Sequence, residues 1–347
     1  MRKFTLFAAA ALLILAAGVD LTAQTTSEDL FQEAERRLAA EDYPLSLNLY
    51  ERIVDQYPTS RFALEARYKK GIVLYKTGRY AEALETFEPL SRRRTGGQFA
   101  EASVFWSGMC SYQQGKFAEA ASSFAGYLAG SDRRYREKAR LYRGLALGRN
   151  GEVGEAVEIL GQVYEEPARA GTEPAGFLFY CSLLLQEGMH GRLLEAVRTG
   201  ESEITQGDDQ RQLTLFKAEA LWGLGKRDRA EALYRTLLDA DGATASAAVQ
   251  RLFVHYLEAD REEELEDLIV TAETRLFDKP EVLAKVWTRL GIRYFNEGQY
   301  DLASSYFLRA WLTREESEIP EAVPVYLAEI YLEQNKQTDA KQCWKWL

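Results

Sequence analysis

The chain has 347 residues, 46% of them hydrophobic and 28% charged, with a net charge of −10. That apolar share supports a folded core and excludes a disordered chain. The negative balance excludes the basic footprint that nucleic-acid binding requires.

At the N-terminus Arg2 and Lys3 precede an apolar run from Leu6 to Ala17, followed by small residues up to Ala23 and Gln24. This is the order of an export signal, so residues 1–23 are expected to be removed near Ala23 and the remainder to be periplasmic. The run is shorter than the ~20 apolar residues of a comfortable membrane span, so the mature chain is expected to have none. The alternative is an anchor that stays uncleaved. No Cys precedes Cys110, so no lipid is expected at the new terminus. Cys110, Cys181 and Cys343 are scattered within helical apolar patterns and read as buried packing residues, not a disulfide framework.

Residues 24–347 are organised by a repeat. Turn-like stretches begin at Gly78, Gly115, Gly151, Gly188, Gly225 and Gly298, each leading into an amphipathic pattern. Glycine closes a helix at little cost because it reaches left-handed backbone angles. The residues just after these turns, from Tyr43 to Gln337, recur about every 37 positions. Three positions further on stands a ladder: Ser46, Ala83, Ala120, Ala156, Leu193, Ala230, Leu265, Ala303 and Ala340. Four further on stands a larger residue: Tyr50, Phe87, Phe124, Leu160, Val197, Tyr234, Ile269, Phe307 and Trp344. Both sets share one helix face. The segment before each turn is also helical, as Trp287, Leu290, Gly291 and Tyr294 show. Gly71, Gly108 and Gly144 occupy the slot of Gly291. Glycine inside a helix costs about 1 kcal/mol against Ala. Its return at one phase implies an approach too close for a side chain.

The series Trp287, Leu290, Gly291, Tyr294, Gly298, Tyr300, Ala303, Phe307, Ala310 resembles the tetratricopeptide repeat family almost position for position. The resemblance implies an all-α, right-handed solenoid of about nine helix pairs. The pairs are placed near 28–62, 64–98, 101–131, 137–167, 174–207, 211–240, 246–278, 284–316 and 321–347. This repeat overrides the two domains that length alone suggests. The period departs from the family's 34, so helices or loops are expected to be longer. The run from Tyr50 to Phe87 also resembles exported cell-envelope members, of the outer-membrane assembly lipoprotein and TolA-binding coordinator type.

In the family, inner-surface contacts come from three positions of the first helix. Carried over, they are Tyr68, Ile72 and Tyr75, then Phe105, Met109 and Tyr112, then Leu141 and Leu145. They form an expected aromatic groove for a peptide or partner protein. A clamp for a C-terminal carboxylate would need Lys and Asn in such slots, where Tyr68, Ile72 and Met109 stand. Arg92, Arg93 and Arg94, with Arg133 and Arg134 one repeat later, mark a candidate edge for an anionic partner. Trp344, Trp346 and Leu347 follow the last turn without a polar capping helix, and this end is expected to pair with itself or with a partner. Charge is uneven: residues 24–150 carry 20 basic against 16 acidic side chains, and residues 151–347 carry 21 against 36. The two halves are therefore expected to meet different partners.

No phosphate loop, dinucleotide fingerprint, His-Glu-x-x-His or close Cys pair occurs, so neither enzyme activity nor a cofactor or metal is expected. Two functions follow from the resemblance. One is a non-catalytic scaffold of the cell envelope that binds a partner along its concave surface. The other is a solute-handling accessory that pairs with a transport binding protein and encloses a small ligand in a closed, apolar-lined pore.

Overall fold

A computed structural model describes residues 26–92, 97–165, 174–240, 242–276, 279–313 and 322–346. The expected signal at 1–23, together with Arg93, Arg94 and Leu347, lies outside these residues. The described residues hold helices and no strand. They fall into two compact units, Met1–Glu166 and Pro167–Leu347.

In the first unit α1 (Ser27–Ala39) pairs with α2 (Tyr43–Gln56), and α3 (Ala63–Lys76) with α4 (Tyr80–Ser91). Next come α5 (Gly97–Gln113) with α6 (Phe117–Ala129), and α7 (Arg136–Arg149) with α8 (Val153–Tyr164). In the second unit α9 (Pro174–Gln186) pairs with α10 (His190–Gly200), and α11 (Gly207–Gly223) with α12 (Arg227–Leu237). They are followed by α13 (Ala243–Glu258) with α14 (Glu262–Arg275), and α15 (Pro280–Asn296) with α16 (Tyr300–Leu312). The last pair is α17 (Ala322–Glu333) with α18 (Gln337–Trp344). First helices also touch first helices: α3 meets α5 and α5 meets α7, and in the second unit α11, α13, α15 and α17 follow one another. Each unit is therefore a stack of helix pairs in which the first helices form a continuous layer.

Every pair is joined by a three-residue turn. The amide of its third residue returns to a carbonyl five back, as in Arg79 N to Leu74 O at 2.9 Å and Gln299 N to Tyr294 O at 2.8 Å. That closure needs one left-handed residue. Glycine supplies it six times, from Gly78 (φ 76°) to Gly298 (φ 75°), while Glu41, Asp260 and Asn335 adopt φ of 50–59°. Such angles cost a side-chain-bearing residue about 1 kcal/mol. The extra length of the repeat lies elsewhere, in the connections from second to first helix. Residues 57–62, 130–135 and 201–206 are each six long.

The small-residue ladder is buried in all nine pairs. The larger residues follow it with two differences. In α14 the inward face is Leu265, Leu268 and Ala272, so Leu268 fills the space expected of Ile269, which is only partly buried. In α18 Ala340 and Cys343 face inward, three residues apart, and Trp344 is turned out. The recurrent glycines have a direct cause. A Cβ on Gly71 would come within 2.5 Å of the Phe87 ring, and one on Gly291 within 2.6 Å of the Phe307 ring. Gly108 stands in the same relation to Phe124, and Gly144 to Leu160. The close approach is thus between the first helix and the large side chain of its own partner helix.

Ion pairs cross from one pair of helices to the next: Lys69 to Glu35 at 2.8 Å, Arg261 to Glu231 at 2.7 Å, Arg309 to Glu273 at 2.7 Å. The two more exposed pairs, Lys69 with Glu35 and Arg309 with Glu273, contribute little stability each, about 0–1 kcal/mol, whereas Glu231 is nearly buried. All three cysteines are free and buried, as expected of packing residues. Burial pushes the Cys110 thiol up to about 12, so it stays a thiol at neutral pH.

Candidate functional site

In the first unit the layer of α3, α5 and α7 carries a line of half-buried aromatic rings. Tyr75 of α3 meets Trp106 of α5 edge-on at 5.0 Å, and Tyr112 of α5 meets Tyr142 of α7 edge-on at 5.1 Å. Tyr80 lies 5.4 Å from Tyr75, and Phe117 lies 5.5 Å from Tyr112, so the next helix repeats the contact in each pair. The Arg149 guanidinium sits 5.5 Å from the Tyr112 ring and 5.6 Å from the Phe117 ring. Burial holds the Tyr75 and Tyr112 phenols above their ordinary range, so both are neutral at physiological pH and available as hydrogen-bond donors.

Ile72, Tyr75, Tyr112, Leu141 and Leu145 of the expected groove are each partly exposed. Tyr68, Phe105 and Met109 are buried, which corrects their placement on an open surface. For Tyr68 and Phe105 the cause is the longer connection before α7. It lays Tyr135 flat on Phe105 at 4.5 Å, and the Tyr135 hydroxyl lies 3.4 Å from that of Tyr68. Trp106 completes the cover by donating its Nε1 hydrogen to the Tyr68 hydroxyl at 3.0 Å. The structure therefore brings Tyr75, Tyr112 and Trp106 to the surface layer and puts the other rings beneath it.

Arg92 follows α4, and Arg133 and Arg134 follow α6, at matching ends of successive second helices. Arg92 is engaged by Glu88 at 2.6 Å, and Arg134 lies over the Tyr135 ring at 6.0 Å. In the last pair Trp344 is 49% exposed and Trp346 37% exposed, the latter stacked on Trp311 at 4.4 Å.

The second unit has a polar trough that the sequence reading did not single out. Its volume is about 630 Å³, and it runs across α11, α13 and α15. Glu219, Gln250, Arg251, Lys285 and Arg289 line it. Arg251 forks onto Glu219, with Nε to Oε1 at 3.1 Å and Nη2 to Oε2 at 2.5 Å. The only trace in the sequence was the run of cations at helical spacing, Lys285, Arg289 and Arg293. Among the described residues no group of three or more His, Cys, Asp or Glu is placed to hold a metal. None of their helices is long and apolar enough to cross a membrane.

The tetratricopeptide repeat family matches the sequence over residues 31–92 and 68–135. That match spans the helix pairs from α1 to α6. The matched tetratricopeptide segment contains Tyr75, Trp106 and Tyr112, three members of the aromatic line. Solved tetratricopeptide structures align over most of the chain. A tetratricopeptide repeat protein from Parabacteroides merdae is 13% identical, covers 88% of this chain and 98% of its own, and gives a TM-score of 0.45. The C-terminal part of a repeat-containing protein from Cytophaga hutchinsonii is 11% identical, covers 86% and 99%, and gives 0.47. A comparison with curated protein sequences gave no match. Tetratricopeptide proteins generally serve as scaffolds for protein–protein interaction.

Proposed function

We propose that this chain is an exported, non-catalytic scaffold of the bacterial cell envelope that holds a partner protein or peptide on its first-helix layer. The observation that carries the reading is the line of half-buried rings across α3, α5 and α7, from Tyr75 and Trp106 to Tyr112 and Tyr142. Aromatic side chains combine a large contact area with a polar tip and lose little conformational freedom on binding, which suits recognition of a partner. The export signal read from residues 1–23 and the resemblance of the run from Tyr50 to Phe87 support a periplasmic setting. Arg92 and Arg133 form an edge for anionic groups, and Trp344 and Trp346 a surface for self-association, as secondary features of the same scaffold.

The solute-handling reading called for an apolar-lined enclosure. The larger trough of the second unit has charged walls, and the apolar chamber that adjoins it is the smaller of the two, about 260 Å³ against 630 Å³, which favours the scaffold. Photo-crosslinking in cells, with probes at Tyr75 and Tyr112, tests the reading. Capture of defined proteins at both positions is expected, with none at outward sites such as Glu85 or Arg229. Silence at Tyr75 and Tyr112, with capture at the outward sites, would overturn it.

A further inference from the structure

We infer that the trough of the second unit binds an acidic peptide segment that also carries an apolar side chain. The inference rests on the scaffold reading and names the chemistry of one partner segment. Lys285 and Arg289 stand one turn apart on the exposed face of α15, and neither forms an ion pair among the described residues. Glu281, one turn before Lys285, makes no ion pair with it. Like charges at this spacing destabilise a helix. The same helix shows that acids are supplied where folding needs them. Arg293, four residues after Arg289, is held by Glu297 at 2.8 Å, Glu262 at 3.1 Å and Asp260 at 3.6 Å. The bare pair is therefore not a requirement of the helix, and its charge is left for an external anion.

The opposite wall defines what that anion belongs to. Arg251 has its charge met by Glu219, so it shapes the wall rather than adding a free cation. Gln250, beside it, presents a side-chain amide with no hydrogen bond among the described residues, suited to a peptide backbone. Adjoining the trough is a smaller chamber of about 260 Å³, lined by Phe253, Val286, Thr288 and Ile292 and sharing Gln250, Lys285 and Arg289 with it. Cations at the boundary of an apolar chamber match a chain that places carboxylates next to one apolar side chain. A small free anion would leave the chamber and the length of the trough unused. Lys285 and Arg289 are separated by about 6 Å along the helix, close to the spacing of alternate residues in an extended strand.

A fluorescein-labelled ten-residue peptide of alternating Asp and Leu, titrated against the full chain by anisotropy, tests the inference. Saturable binding that weakens with salt is expected. The doubly reversed variant Lys285→Glu/Arg289→Glu should lose at least about tenfold in affinity, as should a peptide with Asn in place of Asp. Arg229→Glu/Lys341→Glu changes net charge equally outside the trough and should bind as the unaltered chain does. Equal binding by the reversed variant, equal binding of the Asn peptide, or no binding would overturn the inference. So would full displacement by citrate at equal concentration, which would mark a small-anion site. Crosslinking at Tyr75 and Tyr112 reads the first unit separately, so capture there with no peptide binding removes this inference and leaves the scaffold standing.

Discussion

Replacing Phe87 by Ala is expected to cost about 3–5 kcal/mol, the range for removing a fully buried ring. The informative companion is Gly71→Ala. On helix propensity alone it should stabilise α3 by about 1 kcal/mol. A Cβ there would press on the Phe87 ring at 2.5 Å, and overpacking of that degree costs about 1–3 kcal/mol. Gly71→Ala is therefore expected to destabilise the chain when Phe87 is present and to stabilise it when Phe87 is Ala. Urea unfolding of the two single variants and the double variant measures this reversal of sign. Stabilisation by Gly71→Ala in the unaltered background would show that the ring does not need the glycine. Gly108 with Phe124 and Gly291 with Phe307 repeat the geometry, so the same reversal is expected in each.

Glu231→Gln is expected to lower stability by about 2–3 kcal/mol at pH 7, as loss of a nearly buried, multiply bonded charge does. The carboxylate on α12 accepts from the Tyr256 hydroxyl at 3.0 Å and from Arg261 at 2.7 Å, and Arg235 lies at 3.2 Å. It thus ties α12 to α13 and to the residue that opens α14. Desolvation is the largest single influence and raises its pKa, but the bonds from Arg261 and Tyr256 with the nearby charges outweigh it, and the net shift is downward from 4.5. A folded-state pKa below the unfolded value stabilises the fold above the unfolded value, and that contribution is lost as pH falls through the folded one. The gap between the unaltered chain and Glu231→Gln should therefore be full at pH 7 and close as pH drops below about 4. Unfolding measured from pH 7 to pH 3 checks this. A gap that stays constant to pH 3 would mean that the charge contributes nothing.

The helix pairs were legible in the sequence because their constraints are local. A three-residue turn needs a left-handed residue, and Gly78, Gly115 and Gly151 announce it at a fixed distance from Ala83, Ala120 and Ala156. The glycine on the first helix and the large residue on the second are one fitted contact, so Gly71 and Phe87 recur together. Surface and core were less legible on the first helices, because a non-local element decides them. Tyr68 and Phe105 occupy positions expected on the inner surface, but the six-residue connection at 130–135 carries Tyr135 over them. Nothing in the periodicity locates that cover. In α14 and α18 the inward face is carried by Leu268 and Cys343, one position before the residue the ladder points to. The trough was missed for a different reason. Its signature is that Lys285 and Arg289 form no ion pair although Glu281 stands one turn away, which shows only once Arg293 and the three carboxylates that meet it are seen.

In the proposed scaffold the second helices hold the stack together and the first helices meet the partner. Hydrogen–deuterium exchange on the full chain, with and without a partner captured at Tyr75 or Tyr112, measures that division directly. Added protection along α3, α5 and α7, with α4, α6 and α8 unchanged, is the predicted result. Protection confined to α4, α6 and α8 would contradict it.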